Sequence, residues 1–239
     1  MRKIKLRALT LLEVMMALSI FLILMGAVFY IYCISTKSWL KVRQQIEVKD
    51  SAQVTFIRIQ REIRSSAVDS VSVINYPDPN NDAISFLSSY NSSTGLTDYN
   101  DEGKMLWTRY VLFYLEDDPD IAASGYYKLL SREVDISNIS DYPTKTIENL
   151  PYPPDPNSTT NYPMDSYIKG LVTPVSPYVS SARTISRNIT GLKFNVSITT
   201  REVDITVNTG KPLKPSSPSS PPAPDKLNIT GVIVLRNSN

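Results

Sequence analysis

MRKIKLRALTLLEVMMALSIFLILMGAVFYIYCIST, residues 1–36, carries the strongest pattern in the chain. A basic head (Arg2, Lys3, Lys5, Arg7) precedes an apolar run, and Glu13 is the only Asp, Glu, Lys or Arg between Leu9 and Lys37. The 21 residues from Val14 to Ile34 carry no charge, and about 20 apolar residues in helix span a bilayer core. A secretory signal peptide has a shorter core, about 7–15 residues, followed by a small-residue cleavage site. Here the small residue, Ala8, comes before the run. The pattern predicts a transmembrane helix over 9–36. The positive-inside bias places residues 1–8 in the cytoplasm and everything after the span outside. A carboxylate at the margin of such a helix is costly unless partnered, which singles out Glu13 as a functional candidate.

At Ala8-Leu9-Thr10-Leu11-Leu12-Glu13-Val14 the chain resembles the processing site of type IV prepilins and type II secretion pseudopilins. In that family a membrane peptidase cuts on the cytoplasmic side, before the apolar segment, and methylates the new N-terminus. The resemblance implies that 1–8 is a leader removed between Ala8 and Leu9, that Leu9 is N-methylated, and that Glu13 becomes the fifth residue. The family commonly has glycine and phenylalanine at the two positions held here by Ala8 and Leu9. No proline occurs before Pro77, so nothing in the span forces a kink. Cleavage creates an α-amino group about one helical turn from Glu13. In the family the glutamate is thought to meet the amino terminus of a neighbouring subunit in the filament, where opposite charge compensates burial of both groups. The plainer alternative is a carboxylate that sits in the headgroup layer and sets depth.

Helical character continues over 37–67, which contains no Gly or Pro. Trp39, Val42, Ile46 and Ile57 fall near one face, with Phe56, Ile63 and Ala67 at its margin, and Asp50 interrupts it. This predicts an amphipathic half-helix with that stripe turned inward and Lys49, Arg58 and Glu62 on a solvated face. Leu9 to Ala67 as one helix is about 85–90 Å long at 1.5 Å per residue. Phe56-Ile-Arg-Ile-Gln-Arg-Glu-Ile-Arg64-Ser-Ser-Ala67 is similar to the helix end of minor pseudopilins of the J type and minor pilins of the W type.

The remainder, 68–239, reads as a β-rich head. Ser70–Asn75 and Ala83–Ser88 flank a turn and predict a hairpin. Met105–Glu116 is the strongest strand and Tyr126–Val134 its partner. Gly191–Val207 gives one or two more strands, and Leu227–Leu235 the last. The expected fold class is α+β: a long N-terminal helix packed on one antiparallel sheet, pilin-like. Proline-rich loop insertions are expected near 150–163 and 210–226.

Composition narrows the chemistry. The chain has no histidine and one cysteine, Cys33, which lies in the span. His-based triads, His metal sites and internal disulfides are therefore excluded. The formal net charge of +2 includes four Lys and Arg in the leader, so the chain without them stands near −2. That argues against general nucleic-acid binding by bulk charge. Acidic clusters at Asp98–Gly103, at Glu116–Asp120 and at Asp78 with Asp82 have oxygen ligands suited to Ca²⁺. In the first, Arg109 stands where an EF-hand loop has its bidentate Glu. These clusters read as solvated turns, and no cofactor, metal or catalytic residue is assigned.

The resemblance implies a structural subunit rather than an enzyme: a minor pseudopilin or minor type IV pilin. Its partners are then other pilin or pseudopilin subunits through the N-terminal helix, the prepilin peptidase, an assembly platform and ATPase, and the bacterial cytoplasmic membrane. The (pseudo)pilus serves secretion, adhesion, motility or DNA uptake. The alternative is a signal-anchored extracytoplasmic binding protein that forms no filament.

Overall fold

The apolar run and the polar stretch after it form one helix, α1 (Leu11–Arg64). The computed structural model describes residues 11–90, 94–121, 125–136, 146–147, 163–169, 179–211 and 225–235. Two compact units divide the chain, Met1–Ile46 and Glu47–Asn239, and α1 contributes to both. The helix ends at Arg64, three residues before the expected Ala67. Ser65 and Ser66 stop it: their hydroxyls donate to the carbonyls of Glu62 and Ile63 at 2.9 and 2.7 Å, occupying acceptors that a further turn would need.

The second unit carries a seven-stranded antiparallel sheet whose spatial order follows the sequence. Its strands are β1 (Ser72–Asn75), β2 (Asp82–Ser88), β3 (Arg109–Asp117), β4 (Tyr127–Asp135), β5 (Arg183–Ser197), β6 (Glu202–Lys211) and β7 (Asp225–Val234). The expected hairpin is present, with Asn75 opposite Asp82. The expected β3–β4 pair is also present, in register from Arg109↔Asp135 to Asp117↔Tyr127. β5 begins at Arg183, eight residues before the expected Gly191. A bulge between Ile189 and Gly191, and Asn188 in the left-handed region at φ 61°, break the period-two signal there.

The sheet curls, bringing β2 against β5. The turn before β2 fixes this approach: Asn81 Oδ1 accepts from the Leu192 amide at 3.1 Å, and Asp82 Oδ2 accepts from the Phe194 amide at 2.9 Å. Inside the curl, Ile59 and Ile63 of α1 join Ile84, Phe86, Val111, Phe113, Leu115, Val207 and Ile233 in one buried cluster. Alternate side chains of β2–β4, including Leu87, Tyr110, Leu112 and Leu130, point the other way. They are covered by a short helix, α2 (Met164–Lys169), through Met164, Tyr167 and Ile168. This second cover went unread in the sequence, because one and a half turns carry too little periodicity to detect.

The face of α1 that meets the sheet differs from the expected one. Trp39, Val42, Ile46 and Ile57 are exposed, while Val48, Ala52, Thr55, Ile59, Glu62 and Ile63 are buried. At 100° per residue Ile57 lies about 200° around the helix from Ile59. The buried row is lined by small side chains where the strands come close: Ser186 Oγ donates to the Ser51 carbonyl at 3.2 Å and Thr209 Oγ1 to the Val48 carbonyl at 3.3 Å. Larger residues there would hold the sheet off the helix. Phe56, expected at the stripe's margin, lies across β7 at Gly231, where an added Cβ would stand 2.3 Å from the ring. Only glycine fits at that crossing.

Candidate functional site

The apolar segment is built as a helix whose side chains lack cover. Every residue from Leu11 to Tyr32 is exposed, and α1 is the one helix among the described residues long and apolar enough to cross a membrane. An exposed apolar surface of this extent marks a lipid or partner contact. Two of its hydroxyls are satisfied within the helix: Ser19 Oγ donates to the Met15 carbonyl and Thr36 Oγ1 to the Tyr32 carbonyl, each at 2.9 Å. They therefore present no unpaired donor to an apolar environment. Cys33 is a free thiol, half-buried within the same segment.

Glu13 lies on α1, exposed, two residues into the described part of the helix. Ala8 and Leu9 lie outside the described residues, as do residues 1–7 and Thr10. So do 148–162 and 212–224, which hold most of the two proline-rich stretches.

The buried charge cluster of the head was not foreseen. Glu62, expected on a solvated face, is 2% exposed. Its carboxylate lies 3.6 Å from Arg109 Nη2 and 3.8 Å from Arg58 Nη2, and accepts from Ser88 Oγ at 3.3 Å. Arg109 also pairs with Glu133 at 2.6 Å and donates to the Tyr90 carbonyl. The cluster thus ties the end of α1 to β2, β3 and β4. Burial pushes the Glu62 carboxyl above its ordinary value, and the attraction of Arg109 and Arg58 and the Ser88 hydrogen bond only partly oppose it. The one sequence signal was the Arg58/Glu62 spacing of four on a row shared with Ile59 and Thr55.

Beside this cluster an open groove of about 460 Å³ is lined by Ile57, Arg61, Arg64, Tyr90 and Leu96. The Arg61 guanidinium stacks 4.9 Å from the centre of the Tyr90 ring.

The acidic clusters are engaged within the head. Asn100 Oδ1 accepts from the amides of Glu102 and Lys104 and closes the first as a turn. Glu116 pairs with Lys128 at 2.7 Å, Arg187 bridges Asp118 and Asp120, and Lys193 pairs with Asp82 at 2.9 Å. Arg109 belongs to β3 and the Glu62 cluster, not to a cation loop. Among the described residues, no group of three or more Asp, Glu, Cys or His is gathered to hold a metal.

No family model, curated protein or solved structure matches this chain.

Proposed function

We propose that the chain is a minor pseudopilin or minor type IV pilin, a structural subunit made as a precursor and assembled through its N-terminal helix. The observation that carries this reading is one uncovered apolar helix with Glu13 two residues into its described part, directly after Ala8-Leu9-Thr10 in the sequence. The helix runs on to Arg64, and its last turns support an antiparallel sheet, the plan expected of such a subunit.

In this reading the precursor lies in the bacterial cytoplasmic membrane with its N-terminus inside and its head outside. A prepilin peptidase cuts between Ala8 and Leu9 and methylates the Leu9 amine. The subunit then leaves the bilayer for a filament, driven by an ATPase and a membrane platform. Apolar side chains exchange lipid for neighbouring helices, so little hydrophobic free energy changes on transfer. Glu13 then supplies selectivity: meeting the amino terminus of an adjacent subunit compensates both charges at one axial register. The filament serves secretion, adhesion, motility or DNA uptake.

Processing tests the reading. The intact mass of the membrane-extracted protein is expected to correspond to loss of Met1–Ala8 and gain of one methyl group. A full-length mass overturns it and leaves a signal-anchored binding protein. Glu13→Ala is expected to leave cleavage and membrane insertion intact while reducing incorporation into sheared filaments at least tenfold. Normal incorporation removes the electrostatic role of Glu13.

A further inference from the structure

A belt of positive charge follows the apolar run. Residues 37–46 hold Lys37, Lys41 and Arg43, no Asp or Glu, and one aromatic residue, Trp39. All four of these side chains are exposed on α1, Trp39 by 60%. At 100° per residue Lys37 and Lys41 fall on one side of the helix, and Trp39 and Arg43 lie about 200° around from them. A partner helix takes one stripe of a helix surface. This set instead surrounds the axis.

Its height fits a layer of lipid headgroups. The 21 uncharged residues 14–34 rise about 31 Å at 1.5 Å per residue, against a hydrocarbon core of about 30 Å. Lys37 then stands about 4–5 Å beyond Ile34 along the axis, and Arg43 about 13–14 Å. Side chains on a helix lean toward its N-terminus, which here is toward the span. Arg43 shows the lean: its guanidinium lies 5.6 Å from the centre of the Trp39 ring, one turn nearer the apolar run. Lys and Arg that reach back in this way put their charge among phosphates and lay their stems on apolar surface. Tryptophan favours the same interface. Orientation does not account for these charges, because Lys and Arg beyond the span weigh against a cytoplasmic N-terminus.

We infer that Lys37, Trp39, Lys41 and Arg43 form a binding belt for anionic phospholipid headgroups of the extracytoplasmic leaflet, and that the belt fixes the depth of α1 in the bilayer. Headgroups surround a crossing helix on every side, which matches basic residues on opposite sides of the axis. Juxtamembrane Lys and Arg are drawn to such an anionic surface, within the short reach that salt allows. The inference rests on the membrane-span part of the proposed function, not on leader cleavage or filament assembly.

The test uses the membrane-extracted chain with Trp107→Phe, which leaves Trp39 as its one tryptophan. The chain is reconstituted in vesicles of phosphatidylcholine and phosphatidylglycerol, with one lipid or the other brominated, and flotation measures insertion. Bromine near the headgroup end of the acyl chains is expected to quench Trp39 more than bromine near their tips. Brominated phosphatidylglycerol is expected to bind beside Trp39 about threefold better than brominated phosphatidylcholine in low salt. Salt at about 0.5 M is expected to bring that ratio close to unity. Lys37→Gln with Lys41→Gln and Arg43→Gln is expected to do the same without loss of flotation. Equal quenching by the two lipids, a ratio unchanged in the triple variant, or an unquenched Trp39 in a chain that floats each overturns the belt and leaves the span standing. A chain that does not float overturns the span, and the belt with it.

Discussion

Arg109→Met is expected to destabilise the head by about 3–5 kcal/mol at neutral pH, the usual cost of breaking a buried ion pair from one side. The arginine is 8% exposed and stands between Glu62 and Glu133. Glu133 is partly exposed and regains water when the guanidinium goes, but Glu62 does not. The pH dependence gives the cause a signature. Burial holds the folded Glu62 carboxyl above its ordinary value, so the folded state binds this proton more tightly than the unfolded state does. Its contribution to stability is full below the unfolded value and is lost as pH rises through the folded value. Arg109 is the strongest influence lowering that folded value. Removing it moves the loss to higher pH and deepens it, and Glu62→Gln in the same background is expected to recover most of the stability and flatten the profile. Urea unfolding of the detergent-extracted chain, followed by near-UV circular dichroism across pH, checks both statements. A loss within about 1 kcal/mol, or no rescue, removes the cluster as the anchor of the helix end.

The second large effect is expected at Ile59. Its side chain is fully buried in the cluster that joins α1 to the inside of the curl. Truncation to alanine removes apolar contact and leaves a cavity that the surrounding strands close only in part, costing about 2–5 kcal/mol. Ile57→Ala, two residues away but 61% exposed, is expected to change stability by no more than about 0.5 kcal/mol. Equal losses at the two positions would mean that the helix docks by a different face. The comparison is sharp because both substitutions remove the same atoms from the same helix and differ only in direction around its axis.

That contrast shows where sequence reading reached and where it stopped. Large apolar residues at Trp39, Val42, Ile46 and Ile57 drew the inner face toward themselves. The sheet instead takes Ala52 and Thr55, because β5 and β6 approach closely enough for Ser186 and Thr209 to reach helix carbonyls. Close approach favours small side chains, and a hydrophobicity count gives small side chains little weight. Glu62 escaped notice for a related reason: Arg109 and Glu133 lie 47 and 71 residues further along the chain, and nothing local announces them. Glu13 was legible because its setting is local, one carboxylate in an unbroken apolar run.

The sequence by itself determined the long apolar helix, its basic head, the isolated charge of Glu13 and most strand positions, since each depends on neighbours a few residues apart. Only the tertiary structure decided which face of α1 the sheet covers, that Glu62 is buried beside Arg109, and that β2 comes against β5 as the sheet curls. Those outcomes depend on which distant segments meet. Close packing, which has no one-dimensional period, selects among faces that local pattern leaves nearly equivalent.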